Sequence, residues 1–209
     1  MNDDSLQIDN EVSAIILSAG KSERFGEPKA FLKFNQTKSF IQQLIYVYYS
    51  TGIRHIIIIT NKDLLERMKQ QIKDVPKELT IEIIINPHPE TGRFSSIKIA
   101  ADAINKGHHA FFQNIDNPFT TFVLLKQMFD NIKEGMFVIP KFNYEKGHPV
   151  LLSNKIIQHI KSMNSLEGNL RDVLSEFTAI EIVTDDPNIH ANINTTEAYL
   201  KYFNHAILH

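Results

Sequence analysis

Short apolar runs that alternate with helical patterns constrain the fold of this 209-residue chain more than any other feature of its sequence. Runs that are apolar on both faces and rich in β-branched residues are typical of strands in a sheet that helices cover on both sides. Because helical patterns separate the runs, the sequence predicts a parallel α/β sheet. The predicted strands are Val12–Leu17, His55–Thr60, Thr80–Ile85, 110–115 and 136–140.

Between and after these strands the sequence predicts helices and a change of rhythm near residue 141. A loop or hairpin is expected over 142–147, and no linker rich in Pro, Gly or Ser interrupts the chain, so we expect one domain over 12–209 after a flexible tail over 1–11. The remaining predicted elements are helices over 39–50, 63–72, 97–105, 122–132, Asn154–Ser162, 169–177 and from a cap at Asn194 or Thr195 to about residue 208, and strands over Val150–Leu152 and 180–183.

Composition excludes several classes of function. The formal net charge of −2 supplies no global basic field, so neither nucleic acid nor an anionic membrane is an expected partner. The absence of cysteine excludes disulfides, thiolate metal sites and cysteine nucleophiles. No apolar run approaches the roughly 20 residues that cross a bilayer, and the polar N-terminus is unlike a secretory signal. A cytoplasmic location is therefore expected.

The loop that follows the first strand has the composition of a phosphate-binding loop. Small residues, Ser18-Ala19-Gly20, end the strand, and they would let a ligand lie against bare backbone. Three cations follow within nine positions, and cations beside exposed N–H groups suit a polyphosphate. They are Lys21, Arg24 and Lys29, with Ser22 and Gly26 between them. We expect a nucleoside triphosphate here; the alternative is a turn with a solvated basic loop.

Three polar segments come directly after predicted strands: 18–29, 86–96 and 116–118. In an open α/β sheet, ligands bind beyond the carboxyl ends of the strands. The three segments should therefore converge on one edge of the sheet. This expectation depends on topology as well as on residue type.

Asp116 is the candidate metal ligand, because it follows a buried strand and Pro118 fixes the turn that presents it. A carboxylate there can hold Mg²⁺, which takes oxygen ligands and usually keeps waters and substrate phosphates. Asn192 or Asn194 could supply a second, neutral oxygen. The alternative is that all three are turn or capping residues.

Two further segments could contact substrate. Gly92, Ser95 and Ser96 open a helix after a strand, where they could contact a base or ribose or could simply cap the helix. His148, within Gly147-His148-Pro149, is the most distinctive of nine histidines. No Gly-x-Ser-x-Gly, HExxH or Walker A pattern is present, so hydrolase and P-loop functions lose support.

Residues 17–29, LSAGKSERFGEPK, resemble the L-[AS]-A-G-x-S-x-R-x-G-x-x-K signature of the MobA-like nucleotidyltransferases. The resemblance implies a Rossmann-like, GT-A-type α/β/α fold with a mostly parallel sheet. Gly147 to Val150, GHPV, resembles the motif of the molybdenum cofactor cytidylyltransferase branch. Further segments that are similar to family motifs are Asn86-Pro87 with Gly92 and Ser96, Asp116-Asn117-Pro118, and Asn192 to Glu197 (NINTTE).

The sequence departs from the family pattern at five positions. Ile115 stands where Gly or Cys is usual, and Asn192 and Asn194 stand at acidic positions, as in guanylyl-transferring relatives. Thr196 replaces the motif proline, and Ala198 the final acidic residue. These departures concern the second metal ligand and the choice of nucleotide.

The resemblance implies NMP transfer from an NTP to a phosphate-bearing acceptor with Mg²⁺ as cofactor. CTP is the favoured donor and GTP the alternative, molybdopterin or molybdenum cofactor is the expected acceptor, and a transient contact with a molybdoenzyme or its chaperone is possible. Residues 12–140 would bind nucleotide, and 141–209 would bind acceptor and close the site. Lys29, Arg24 and Asp116 would be catalytic. The implied nucleotide set is Leu17, Ser18, Ala19, Gly20, Lys21, Ser22, Arg24, Lys29, Asn86, Gly92 and Ser96; the acceptor set is Gly147, His148 and Pro149; the metal set is Asp116, Asn192 and Asn194.

Three other functions remain open at this level. A sugar phosphate or methylerythritol phosphate could replace the acceptor. The protein could bind nucleotide without catalysis, as a chaperone or regulator of molybdoenzyme maturation, and Ile115 with the two asparagines favours this reading. A glycosyltransferase would have the same fold, but its donor usually binds at an acidic pair, whereas the loop over 18–29 is basic.

Overall fold

A computed structural model describes residues 11–20 and 26–203 of the chain. Lys21, Ser22 and Arg24, the tail over 1–10 and the predicted end of the last helix lie outside the described residues. The described residues form one eight-stranded sheet. Its strands are β1 (Val12–Leu17), β2 (His55–Thr60), β3 (Thr80–Ile85), β4 (His109–Asn114), β5 (Met136–Phe142), β6 (Glu145–Lys146), β7 (Val150–Leu152) and β8 (Thr178–Val183).

The sheet is mostly parallel, in the order β3-β2-β1-β4-β7-β5-β6, and β8 pairs with β5 in parallel. β1 lies in parallel between β2 and β4, so the carboxyl ends of these strands share one edge. β7 is antiparallel to both of its neighbours, β4 and β5. The insertion of this short reversed strand separates two parallel groups, β3-β2-β1-β4 and β5-β8.

β6 and β7 are two parts of one return path along the same edge of β5. Lys141 of β5 pairs with β6 and β8, and Val138 of β5 pairs with β7 and β8, so β6 and β7 both lie opposite β8. A tight turn at Asn143 and Tyr144, both with positive φ, starts the return. The path is interrupted at residues 147–149, where the His148–Pro149 bond is cis.

Seven α-helices cover the sheet in the described residues: α1 (Phe40–Ser50), α2 (Leu65–Gln71), α3 (Arg93–Ala103), α4 (Phe122–Asp130), α5 (Asn154–Ser162), α6 (Leu170–Leu174) and α7 (Thr196–Tyr202). α3 begins four residues before the predicted start, because its polar first turn, with Ser95 and Ser96 buried, has no apolar periodicity. Thr195 caps α7, since its Oγ1 accepts from the Ala198 amide at 3.2 Å. No described helix is both long and apolar enough to span a membrane.

Alternate side chains of the central strands enter two separate cores. Ala14 and Ile16 of β1 pack in one core with α1, α4 and α7, on what we call the α1 face of the sheet. Ile15 and Leu17 pack in the other with α3, α5 and α6, on the α3 face. Because both faces are covered, β1 and β2 are buried along their whole length, as their apolar runs predict.

Candidate active site

A cavity of about 290 Å³ lies beyond the carboxyl ends of β1 and β4. This is the edge at which an open α/β sheet binds ligands. The structure thus brings together the three polar segments that follow β1, β3 and β4. The lining residues are Leu17, Ser18, Ala19, Gly20, Lys29, Ala30, Leu64, Pro89, Gly92, Arg93, Ser96, Asn114, Ile115, Asp116 and Asn194.

The glycine loop is held by the end of the neighbouring strand. The Ser18 amide donates to the Ile59 carbonyl at 2.8 Å, and the Asn61 side-chain amide donates to the Ala19 carbonyl at 3.1 Å. A Cβ built on Gly20 would meet no atom within 4 Å, so the backbone there faces open space. The loop therefore presents fixed backbone to the cavity, as nucleotide binding would require.

Lys29 reaches the cavity from a short 3-10 helix that the core holds in place. The helix covers Lys29–Phe31, and Ala30 and Phe31 are buried. Arg67 of α2 lies over the Phe31 ring, 4.1 Å from its centroid, and forms an ion pair with Glu27. Two anchors therefore fix the backbone on either side of Lys29.

Lys29 contacts two oxygen groups from different parts of the chain. Its Nζ lies 3.5 Å from Oδ2 of Asp116, and the side chains of both residues are largely buried. It also donates a hydrogen bond to Oδ1 of Asn194. An acid, an amide oxygen and a cation thus meet at one point of the cavity wall.

The turn after β4 fixes Asp116 against the C-terminal segment. The Ile193 amide donates to the Asp116 carbonyl at 2.9 Å, and the Asn117 side chain donates to the Ile189 carbonyl at 2.9 Å. Gln113, buried in β4, donates to the Asn117 carbonyl at 2.7 Å and accepts from Tyr48, whose pKa is raised by burial. These bonds hold the C-terminal segment against the turn, so that Asn194 lies close to Asp116.

The oxygen groups around Lys29 fit a divalent cation. Asp116 and Asn194 already direct oxygens at one positive charge, the Lys29 ammonium, and Mg²⁺ prefers such ligands. Asn192 does not line the cavity, and its oxygen accepts from the Asn194 amide. The described residues contain no cluster of three His, Cys, Asp or Glu side chains that could enclose a metal. A bound ion would therefore be completed by waters and substrate phosphates.

Asn86, which the resemblance placed in the nucleotide-binding set, does not line the cavity. Its amide donates to Ser95 Oγ at 2.8 Å and Ser96 Oγ at 2.9 Å, and its Oδ1 accepts from the His88 amide at 2.8 Å. Both donors and the acceptor of this buried side chain are therefore used within the loop. Gly92 and Ser96 line the cavity, whereas Asn86 shapes the segment that presents them.

The predicted acceptor residues lie just outside the cavity wall. Gly147 packs tightly against the 3-10 helix over Pro187–His190, because a Cβ there would lie 2.7 Å from the Ile189 carbonyl oxygen. His148 Nε2 is 3.2 Å from the side-chain amide of Asn114, which does line the cavity. Burial lowers the pKa of His148; the Asp116 charge opposes this shift, and Arg93 and His190 reinforce it.

Sequence reasoning missed two polar residues on the cavity wall, Arg93 and Asn114, and the apolar contacts of Leu64 and Pro89. A signal existed for Asn114, since it is a polar side chain at the carboxyl end of a buried strand. Leu64 follows β2, whose loop was not considered with those after β1, β3 and β4. Arg93 was hidden because the start of α3 was placed at Ile97.

Comparison with known sequences agrees with this geometry. The family model of the MobA-like NTP transferase domain matches residues 14–181 of the chain. A probable molybdenum cofactor guanylyltransferase of Bacillus cereus (strain ATCC 10987 / NRS 248) is 29% identical over 201 residues, which are 90% of this chain and 94% of that protein.

Solved structures share the fold. Rv0371c from Mycobacterium tuberculosis H37Rv has a TM-score of 0.76 at 16% identity, over 94% of this chain and 98% of that chain. Its complex with manganese has a TM-score of 0.72 at 12% identity, over 92% and 98%. A nucleotidyl transferase from Methanothermobacter thermautotroptrophicus (Mth528) has a TM-score of 0.74 at 16% identity, over 92% and 96%. The predicted Rossmann-like nucleotidyltransferase fold is confirmed.

Proposed function

This chain belongs to the MobA-like NTP transferase domain family, and from that premise we propose that it transfers GMP from GTP to a phosphate group of the molybdenum cofactor. An oxygen of the acceptor phosphate attacks the α-phosphorus of GTP, and a new P–O–P linkage forms. The bond between the α-phosphorus and the bridging oxygen breaks, and that oxygen leaves with pyrophosphate. Such chemistry depends on alignment and charge neutralisation more than on a covalent nucleophile.

The observation that carries the proposal is the meeting of Lys29, Asp116 and Asn194 beside the glycine loop. Asp116 and Asn194 would hold Mg²⁺, which supplies charge neutralisation for the phosphates when bound. Lys29 places a second positive charge at the same point, where it can steady the α-phosphate. The backbone of residues 17–20 borders this point and can accept the nucleotide without side-chain obstruction.

Two observations bear on the choice of nucleotide donor, and they favour different nucleotides. The Bacillus cereus relative is named a probable guanylyltransferase, and Asn192 and Asn194 resemble the closing motif of guanylyl-transferring members. CTP, the donor favoured by sequence analysis, is the second candidate, because residues 147–150 keep the GHPV motif of the cytidylyl branch. We favour GTP, since the resemblance to the named relative covers 90% of this chain.

Two measurements test the function. A thermal-shift panel of the four NTPs with Mg²⁺ should give the largest rise in melting temperature with GTP, because a ligand that binds only the folded state stabilises it. Pyrophosphate release should then require GTP and molybdenum cofactor together. Release with CTP alone among the nucleotides would favour the second candidate. Binding of GTP without release would instead favour a nucleotide-binding protein in molybdoenzyme maturation.

A further inference from the structure

Arg93 is an exposed cation on the cavity wall. It is the first residue of α3, its side chain is exposed, and it lines the cavity. Among the described residues, Arg93 has no hydrogen bond or ion pair. Lys29, in contrast, contacts Asp116 and Asn194. Arg93 therefore remains available for an anionic ligand.

Arg93, at the start of α3, and His148 lie on the same side of the sheet. In β4, Ala110 and Phe112 enter the core beneath α3, so Asn114 continues on the α3 face. Val150 of β7 pairs with Phe112, and beyond the end of this ladder the His148 ring contacts the Asn114 side chain. Lys29 reaches the cavity from the α1 face, where Ala30 and Phe31 enter the other core.

The cavity thus has two sides, one for each face of the sheet. Lys29, Asp116 and Asn194 lie on the side of the α1 face, where the proposed metal and triphosphate would bind. Arg93 and Asn114 lie on the side of the α3 face. Arg93 begins α3, the helix that covers the sheet face on which Asn114 lies, and Asn114 contacts His148.

We propose that Arg93 binds the phosphate of the acceptor and holds its attacking oxygen towards the nucleotide. This inference rests on the proposed function. A phosphate monoester carries about −1.5 to −2 charges at pH 7, so it is repelled by the nucleotide unless a cation accompanies it. A guanidinium can bind two phosphate oxygens at once, which leaves the third oxygen free and orients it.

The alternative role for Arg93 is recognition of the guanine base. An arginine can donate to guanine O6 and N7. The acceptor role is favoured because Arg93 shares the α3 side of the cavity with Asn114, which contacts His148, while Leu64 and Pro89 supply apolar surface that a base could contact. The two roles differ in which substrate loses affinity when Arg93 is changed.

The experiment compares the unaltered protein with Arg93→Ala, Arg93→Lys and a charge-matched control, Lys133→Ala. Lys133 is exposed between α4 and β5, at the opposite edge of the sheet. Isothermal titration gives the Kd for molybdenum cofactor in the presence of Mg²⁺ and a non-hydrolysable GTP analogue, and separately the Kd for that analogue. Steady-state pyrophosphate release gives KM for each substrate.

For Arg93→Ala we expect the Kd and KM for the cofactor to rise about 10-fold to 100-fold, the scale of losing charge-assisted hydrogen bonds. The Kd for the GTP analogue should stay within about twofold. Arg93→Lys should recover part of the loss because it keeps the charge, and Lys133→Ala should match the unaltered protein.

A loss of GTP affinity with unchanged cofactor affinity would overturn the inference in favour of base recognition. Unchanged affinities for both would also overturn it, as would unaltered protein that binds no cofactor. Absence of pyrophosphate release by unaltered protein is a separate result that would defeat the proposed function, and the titrations would still decide the role of Arg93.

Discussion

Lys29 and Asp116 lie 87 positions apart in the sequence, and their charged atoms lie 3.5 Å apart in the structure. Lys29 comes from the segment after β1 and Asp116 from the turn after β4. The two strands are parallel neighbours, so the segments that follow them meet at one edge. A carboxylate and an ammonium group that are buried together at this edge can bind a metal ion and a phosphate, respectively. The proposed transfer reaction needs both.

Removal of either charge at this point should reduce turnover strongly. We expect Asp116→Ala and Lys29→Ala each to lower kcat by at least ~100-fold, the usual cost of losing a preorganised electrostatic group. Pyrophosphate release under saturating GTP, molybdenum cofactor and Mg²⁺ is the measurement. Asp74→Asn, a change of an exposed acid after α2, is the control and should leave kcat unchanged. Near-normal release by either alanine variant would remove that residue from the mechanism.

The two asparagines of the closing segment should differ in their effect on metal binding. Asn194 contacts Lys29 and lines the cavity, whereas the Asn192 oxygen accepts from Asn194. We expect Asn194→Ala to raise the Mg²⁺ concentration for half-maximal activity about 10-fold or more, the low end of losses caused by altered metal surroundings. Asn192→Ala should give a smaller rise. A larger effect at Asn192 would exchange their proposed roles.

Arg67 should position Lys29 without touching substrate. It stacks on Phe31 and pairs with Glu27, on either side of Lys29. Arg67→Ala should lower the free energy of unfolding by about 0.5–1 kcal/mol, since both contacts are partly exposed, and should lower kcat while the KM for GTP changes less. Arg67→Lys keeps the charge and should recover part of kcat. Equal activity of all three proteins would show that the segment around Lys29 needs no such support.

Two glycines should respond in opposite ways to alanine. A Cβ on Gly147 would lie 2.7 Å from Ile189 atoms, so we expect Gly147→Ala to destabilise the fold by about 1–3 kcal/mol, as overpacking usually does. A Cβ on Gly20 would meet no atom within 4 Å, so Gly20→Ala should leave stability almost unchanged. It should instead weaken GTP binding, because the methyl group would enter the space for the nucleotide. Urea unfolding and isothermal titration measure the two effects, and unaltered GTP affinity in Gly20→Ala would place the nucleotide elsewhere.

Stability should fall as the pH drops below about 6.5, the ordinary pKa of histidine. Burial lowers the pKa of His108, His109 and His148 in the folded protein. Between each lowered value and 6.5 the unfolded chain binds more protons than the folded one, so the free energy of unfolding decreases as the pH falls through that window and is fully retained above it. Urea unfolding at pH 7.5, 6.5 and 5.5 should show this slope, and His148→Gln should make it shallower. An equal slope in the variant would exclude His148 as a contributor.

The chain determines by itself which segments become strands and helices, because that choice depends on local periodicity. β2, β3, β7 and α5 have the bounds that the apolar patterns predict, and the small residues and cations after β1 indicate phosphate binding without any knowledge of the fold. Only the tertiary structure decides the lateral order of strands. A run that is apolar on both faces does not say which neighbour it pairs with, so the reversed β7 between β4 and β5 could not be read from it.

For the same physical reason, only some features of the candidate site can be predicted from the sequence. The chemical character of Lys29, Asp116 and Gly20 is visible in the sequence, since charge and conformational freedom belong to single residues. Which side of the sheet each side chain faces depends on long-range register. The tertiary structure brings Asn114 into contact with His148, makes Arg93 part of the wall through the start of α3, and directs the Asn86 side chain into the loop behind the cavity.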